Sequence, residues 1–328
     1  MSRRSVNIET LHQMTARSLK RVLVTGGAGF IGSNVARLVR ERAGATVIVL
    51  DNLSSGHASN LEGLGVTFVR DDVRDEAAVR HAVEGCDTVF HLAASVGNTR
   101  SIEHPIQDAE INVLGTLRVL EAARHAGVTK VVFSSSAGIF GELKTLPIRE
   151  DHPVEPDTPY GASKLCAEKL CLSYAKLYPI ECVCLRYFNV YGVNQRYDAY
   201  GNVIPIFANR LLQGRPLTIY GDGEQTRDFV NVRDVAQANY LAATSGGVSG
   251  AFNIASGTRV TINRLTELIG QGSGTPIAVE HAAPRPGDVR HSLADISQAR
   301  AAIGYAPAVS LESGLAEYME WARGVMVT

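Results

Sequence analysis

The 328-residue sequence has no surplus of either charge. Lys and Arg total 32, Asp and Glu total 33, and the formal net charge is −1. With no basic excess and no acidic tail, nucleic-acid binding is set aside. No run approaches the roughly 18 consecutive apolar residues of a membrane span. The opening MSRRSVNIETLHQMTARSLK is polar and lacks the apolar core of a secretory signal, so residues 1–19 read as a frayed extension. Cysteine is sparse. Cys86, Cys166, Cys171, Cys182 and Cys184 are odd in number and form no CxxC pair. They read as reduced thiols of a cytoplasmic protein, with Cys182 and Cys184 as core residues on one strand face, and not as a disulfide or zinc framework. The nine His residues are scattered, so no metal site is expected; His91 reads as a packed structural residue. No internal repeat or low-complexity segment occurs.

What is present is core-forming material. Hydrophobic residues make up 45% and charged residues 20% of the chain, which excludes disorder as a whole-chain description. The length suits two domains, or one large α/β domain with an extension. Strand-like runs at 21–26, 46–52, 66–73, 87–94, 128–136 and 181–192 alternate with helical patterns at 30–44, 76–85, 111–127 and 160–179. This rhythm predicts βαβ units and an α/β fold with a doubly wound parallel sheet. After Gly192 the segments shorten and Gly/Pro punctuation thickens, as in a smaller lobe laid against the sheet.

The first predicted strand runs into TGGAGFIG, which puts Gly26, Gly29 and Gly32 between strand and helix. Glycine allows a tight turn and lets backbone N–H groups approach a pyrophosphate at a helix N-terminus. The spacing is GxxGxxG, and a glycine pattern alone is weak. Here it lies in strand–turn–helix context, and Asp51 follows at the end of the second strand. Such a carboxylate accepts from both adenosine ribose hydroxyls and repels a 2′-phosphate, which points to NAD over NADP. Asp72 and Val73 are candidates for the adenine, and Leu92, Ala93 and Ala94 for the cofactor wall. The bland alternative is a structural turn beside a surface Asp.

Tyr160 and Lys164 stand four residues apart and share a helix face. An ammonium beside a phenol favours the phenolate, which can take a proton from a hydroxyl while hydride leaves the adjacent carbon. YxxxK alone also describes many exposed helix pairs. Upstream, Ser134, Ser135 and Ser136 end a predicted strand, where open α/β sheets bind ligands; strand-end capping would account for two of the three.

GGAGFIG with Asp51, HLAA (91–94), NVLGT (112–116), SSSAGIFG (134–141), PYGASK (159–164), LRYFNVYG (185–192), GDGEQTRDFVNVRDV (221–235) and GDVRHSLAD (287–295) occur in that order. Together they resemble the extended short-chain dehydrogenase/reductase family, closest in pattern to its UDP-sugar 4-epimerases, over about residues 20–325. The resemblance implies a Rossmann-type domain of 20–192 plus 229–257 and a smaller α/β nucleotide-sugar-binding lobe of 193–228 plus 258–328. It implies Tyr160 as acid/base, Lys164 as its partner and Ser136 as the hydrogen-bond donor to the C4 oxygen. The implied NAD site comprises Gly26, Gly29, Phe30, Ile31, Gly32, Asp51, Asn52, Asp72, Val73, Leu92, Ala93, Ala94, Asn112, Ser134, Ser135, Tyr160, Lys164 and Tyr187. Implied substrate contacts are Ser95, Ser136, Asn189, Arg196, Asn202, Val203, Leu217, Tyr220, Arg227, Arg285, Asp288 and Ser292. Relatives pair through two helices, here 111–126 and 160–178, so a homodimer is expected.

Within the family, 4,6-dehydratases carry an Asp-Glu pair just after the serine-rich strand, and the decarboxylases resemble them with a Glu there. Here Ser136 is followed by Ala137-Gly138-Ile139, which leaves C4 inversion through a 4-keto sugar. The alternatives are UDP-glucuronate decarboxylation, dehydration, or a non-catalytic NAD-binding regulator. Arg196 matches the arginine that meets the carboxylate of UDP-glucuronate in relatives and tilts the expectation toward that sugar. Phe188-Asn189 and VNQRYD depart from the pattern of those enzymes. Ser292 is small, which admits UDP-N-acetylglucosamine; UDP-glucose stands beside it.

Overall fold

A parallel strand covered on both faces needs apolar residues at successive positions. Val22, Leu23 and Val24, with Val47 through Leu50, meet that need and are no more than 2% exposed. The computed structural model describes residues 17–197, 201–271, 277–284 and 289–326. Strands β1 (Arg21–Thr25), β2 (Thr46–Leu50), β3 (Thr67–Val69), β4 (Thr88–His91), β5 (Lys130–Ser136) and β6 (Glu181–Tyr187) alternate with helices. The helices are α1 (Phe30–Ala43), α2 (Glu76–Val83), α3 (Asn98–Glu103), α4 (Pro105–Ala109), α5 (Thr116–His125) and α6 (Pro159–Leu177). There follow β7 (Asn189–Tyr191), α7 (Val203–Leu212), β8 (Leu217–Tyr220), β9 (Thr226–Arg227), β10 (Phe229–Asn231) and α8 (Val232–Thr244). The rest is β11 (Gly250–Ile254), β12 (Val260–Thr261), α9 (Ile262–Gln271), β13 (Val279–Ala282), α10 (Ser297–Ile303) and α11 (Leu311–Met326). Among the described residues no helix is long and apolar enough to cross a membrane.

Seven parallel strands form the main sheet in the order β11-β6-β5-β4-β1-β2-β3. It is Rossmann-like, and the order reverses between β1 and β4. Side-chain alternation sorts each strand between two cores. Val22, Val24 and Val49 meet α1 and α8 on one face; Leu23, Ile48 and Val131 meet α2, α5 and α6 on the other. Cys182 and Cys184 join the second core beside Cys171. A third core, including Phe207, Leu217, Ile219, Leu265 and Tyr318, holds α7, α9 and α11 around the β8–β13 pair.

Three sequence expectations need correction. The strand expected at 181–192 divides at Phe188: β6 stays in the sheet, while β7 pairs with β10. The helix expected at 111–127 begins as a π turn, Glu110–Gly115, and becomes α-helical at Thr116. Where the two meet, the Thr116 hydroxyl donates to the Asn112 carbonyl at 2.6 Å. Finally, Arg17 to Leu19 are not frayed. Arg17 N–H donates to the Thr244 carbonyl at 2.8 Å, and Leu19 is buried in the first core.

A buried ion pair ties α6 to the sheet. Arg186 of β6 donates Nε and Nη2 to the two oxygens of Glu168 at 3.0 and 2.8 Å, and Ser135 Oγ donates to the same carboxylate at 2.7 Å. Glu168 is 0% and Arg186 4% exposed. Removing one partner strands the other charge, so Arg186→Met should lower the unfolding free energy by about 3–5 kcal/mol. Urea denaturation measures this, and adding Glu168→Met should recover part of the loss.

Candidate active site

The reversal point of an open α/β sheet leaves a crevice at the carboxyl ends of its strands. β1 enters that crevice through Gly26, at φ +68°, where a side chain would lie 2.6 Å from the Ala93 amide nitrogen. At Gly32 a Cβ would lie 2.1 Å from the Gly26 carbonyl oxygen. The turn thus presses the start of α1 onto the end of β1. Gly29 caps α1 in extended conformation, with no side-chain cap and no acid in the first turn. The amides of Phe30 and Ile31 therefore have no intrahelical acceptor and face a position suited to an anion. A cradle that a Cβ would fill, opening on such amides, fits a dinucleotide pyrophosphate. Asp51, 8% exposed, accepts from Ala28 N–H at 2.9 Å and Leu53 N–H at 2.8 Å. Its carboxylate is fixed at the end of β2 with lone pairs left for ribose hydroxyls.

Other expected cofactor residues divide by role. Leu92, Ala93 and Ala94 are half-buried along the crevice, and Leu92 N–H donates to Thr25 O. Asn52 donates to Asp72 at 2.7 Å, and Asp72 also accepts twice from the Arg74 side chain at 2.9 Å. The hydrogen bond from Arg74 leads the interactions that hold the Asp72 carboxyl at about 2. The Val73 side chain packs in the second core, leaving only its backbone for a ligand. Tyr187 is a correction: its side chain packs in the first core and shares a hydrogen bond with Asn239. Ser135 is another, since alternation turns its hydroxyl to Glu168 on the opposite side from Ser134 and Ser136.

Tyr160 and Lys164 stand on the first turns of α6. Thr158 caps this helix by accepting from Gly161 N–H at 3.2 Å. Gly161 fits because a side chain there would lie 2.4 Å from the Gly138 carbonyl oxygen. The Lys164 ammonium donates to the Ser134 carbonyl at 2.8 Å and stands 5.0 Å from the centre of the Phe133 ring. It is 3% exposed, and burial brings its pKa down to about 8, opposed by Asp108. Tyr160 is half-buried, and desolvation raises its pKa. The nearby Ser136 hydroxyl pulls the other way, while Asp108 adds to the rise. Burial is thus the leading influence on the phenol, and it favours the neutral form. Ser136 Oγ also accepts from Gly138 N–H at 3.1 Å.

Asn112, expected at the cofactor, also supports this region. It accepts from Ser95 N–H at 2.9 Å and donates to the Ser95 carbonyl at 3.0 Å, fixing that loop. It also meets Asp108 at 3.0 Å and Ser163 at 3.1 Å, and Ser163 donates to Asp108 at 2.5 Å. Sequence reasoning missed Asp108 and Ser163. His91 is buried between Thr25 at 2.7 Å and Thr116 at 2.9 Å, and burial, then Lys164, lowers its pKa to about 3. It packs as a neutral side chain.

Beyond these residues lies a cleft of about 360 Å³. Asn189, Asn202, Val203, Tyr220 and Arg227, all expected at the substrate, line it. So do Asn98, Gln225, Phe207 and Ile262, which were not expected. Thr158, the cap of the Tyr160 helix, donates to Asn98 at 3.2 Å, linking cleft and helix. Gln225 is 8% exposed, and its Oε1 has no partner; it lay within the quoted GDGEQTRDF. Leu217 is a correction, buried in the third core. Ser292 is buried beside β9, its N–H donating to Thr226 O at 3.1 Å. Arg285 and Asp288 lie outside the described residues. Arg196 does not line the cleft; its charge reaches His57, in the loop after β2. Among the described residues no group of three or more His, Cys, Asp or Glu is placed to hold a metal.

A sequence profile described as the NAD dependent epimerase/dehydratase family matches residues 22–255. The chain is 40% identical over 310 residues to a UDP-glucose 4-epimerase of Mycolicibacterium smegmatis, covering 92% of this chain and 98% of that protein. Among solved structures, a UDP-N-acetylglucosamine 4-epimerase of Methanobrevibacter ruminantium, in complex with UDP-N-acetylmuramic acid, is 37% identical with a TM-score of 0.88. The match covers 93% of this chain and 98% of that one. A UDP-glucose 4-epimerase of Thermus thermophilus in complex with NAD is 39% identical, with a TM-score of 0.84 and coverage of 93% and 99%.

Two tests follow from the geometry. Gly32→Ala should weaken dinucleotide binding at least tenfold, because its Cβ would displace the turn; titration against the wild type measures this. The second concerns Lys164. Its folded pKa, about 8, lies below the model-peptide value of 10.5. Burying the cation costs stability below pH 8, and that cost is relieved as pH rises toward 10.5. Comparing cofactor-free wild type with Lys164→Met at pH 7 and pH 10 should show the wild type gaining relative stability at the higher pH. An equal difference at both values would refute the lowered pKa.

Proposed function

The chain belongs to the NAD-dependent epimerase/dehydratase family, and we propose that it inverts the configuration at C4 of a UDP-hexose. The observation that carries this reading is that the Tyr160 ring and the Ser136 hydroxyl both flank Gly138 where β5 ends, with no carboxylate in the Ala137-Gly138-Ile139 turn that follows. Decarboxylases and dehydratases of the family need an acid or base there for a second step. A non-catalytic regulator has no use for both Tyr160 and Lys164, and both are retained.

When bound, NAD supplies a nicotinamide ring that takes hydride from C4 of the sugar and returns it to the opposite face. The residues do the rest. Glycine-turn amides and Asp51 hold the two ends of the adenosine diphosphate. Lys164, tied to the Ser134 carbonyl, is available to the nicotinamide ribose and keeps positive charge near the phenol. Tyr160 takes the C4 hydroxyl proton and returns it, and Ser136 hydrogen-bonds the same oxygen. The ionised phenol is costly in a buried setting, so it forms only when added positive charge offsets burial. Arg227, Asn189 and Asn202 are suited to the diphosphate of the substrate. The sugar can then turn over in the cleft while its nucleotide stays anchored.

The proposed sugar is UDP-glucose, interconverted with UDP-galactose. Arg196 is not among the cleft residues, so the charge that favoured a sugar carboxylate is no longer counted toward the substrate. A C2 N-acetyl sugar is the second reading, favoured by the small Ser292. Exposed Leu114, in the π turn before α5, and Leu177 on α6 fit the expected pairing with a second copy. With NAD, the protein should interconvert UDP-glucose and UDP-galactose. An accumulating 4-keto product, or CO₂ from UDP-glucuronate, would overturn the epimerase reading. Tyr160→Phe should lower kcat by about 10²–10⁴-fold while retaining NAD; full turnover in that variant would remove the phenol from the mechanism.

A further inference from the structure

Arg196 is a cation that the scheme above leaves unused. Its Nε is buried without a hydrogen-bond partner, and no carboxylate among the described residues is seen to pair with its guanidinium. The residue as a whole is half-buried, and a buried donor left unmet is costly. Such a group is stable in place when an anion comes to it.

The segment carrying Arg196 is held from two sides. Asn194, at φ +73°, donates to Ser33 Oγ at 3.0 Å, and Asn34 donates to the Val193 carbonyl at 3.0 Å. Both anchors lie in the first turns of α1. From the smaller lobe, Tyr318 OH donates to the Gln195 carbonyl at 2.8 Å. The loop after β2 docks on the same turn. There, His57 N–H donates to Ala28 O at 3.0 Å, and a side chain at Gly56 would lie 2.8 Å from the Ala28 backbone. The His57 imidazole is held below its usual value, first by burial and then by Arg196. A guanidinium felt at His57, on a segment tied to Ser33, stands beside the opening of α1.

We propose that Arg196 binds the pyrophosphate of the dinucleotide, opposite the Phe30 and Ile31 amides, and does not serve the sugar. The assignment rests on the NAD-dependent reading of the chain. Two phosphates between the helix amides and the guanidinium would satisfy both sets of donors, and the planar fork suits paired phosphate oxygens. Since Gln195 is tied to α11, the contact would also link cofactor retention to the seam between sheet and smaller lobe.

The test compares ADP-ribose, which carries the pyrophosphate, with adenosine, which does not. Nucleotide-free wild type, Arg196→Gln, Arg196→Lys and the exposed-charge control Arg264→Gln are titrated by calorimetry. Arg196→Gln should weaken ADP-ribose at least tenfold and leave adenosine unchanged. Arg196→Lys, which keeps the charge without the fork, should lose less and keeps the test decisive if the glutamine variant does not fold. Arg264→Gln should match the wild type. KM for UDP-glucuronate and UDP-glucose is measured in parallel at saturating NAD. Unchanged ADP-ribose affinity in the Arg196 variants overturns the assignment, as does a loss confined to UDP-glucuronate. A wild type that binds neither ADP-ribose nor NAD would instead overturn the cofactor reading on which the assignment depends.

Discussion

The structure is organised around a place where no side chain fits. A Cβ on Gly32 would lie 2.1 Å from the Gly26 carbonyl oxygen, so α1 begins hard against the end of β1. Several features follow from that contact. The first-turn amides gather at one point in the crevice. Asp51 is fixed because Ala28 N–H, in the same turn, donates to it. Gly56 and His57 dock on Ala28, and the Asn194 segment docks on Ser33. The end of β2, the loop beyond it and a segment from the far side of β7 thus take their positions from one turn. Positions set by backbone contact vary less than those set by long side chains, and a site that must transfer hydride over a short distance needs that rigidity.

Charge is used sparingly in the crevice. Lys164 is buried with a carbonyl acceptor and no carboxylate hydrogen-bonded to it. Asp108 lies near enough to favour the ammonium and to oppose ionisation of Tyr160, but its oxygens are spent on Asn112 and Ser163. Burial and Asp108 thus both oppose ionisation of the phenol. Such economy leaves the balance of charge in the site to what binds there. It also explains how a chain of net charge −1 can serve two anionic nucleotides: backbone amides and a few placed cations act at short range, where a basic surface would be screened by salt.

Much of this was legible because local rules set it. Strands buried on both faces show as apolar runs. The glycine turn is visible because only glycine tolerates both the positive φ and the close approach. Tyr160 and Lys164 share a face by helical period. The Tyr187 and Ser135 errors were also open to a local rule: Val183, Leu185 and Tyr187 alternate onto the α8 side of β6, as Ser135 alternates away from Ser134. The network of Asp108, Asn112 and Ser163 was not legible, since it joins residues up to 55 positions apart through a π turn that propensity does not signal. The setting of Arg196 was not legible for a related reason. A family motif fixes its number in the chain, but hydrogen bonds from Asn34 and Tyr318, distant in sequence, hold the segment that carries it.

The choice between inversion and elimination turns on one small turn. Ser136 ends β5 and caps the Ala137–Ile139 turn through Gly138 N–H. Gly138 sits where a Cβ would touch Ser136 Oγ at 3.4 Å and the Tyr160 ring at 3.6 Å. Both are ordinary contacts, so sterics do not forbid a side chain there. This is a position from which a second acid or base would act beside Tyr160 and Ser136, and glycine occupies it. In the proposed scheme a 4-keto sugar formed at this place would meet one phenol and one serine hydroxyl, both assigned to the same oxygen. With no second group to move another proton, the route left open is the return of hydride, and rotation of the sugar decides which face receives it.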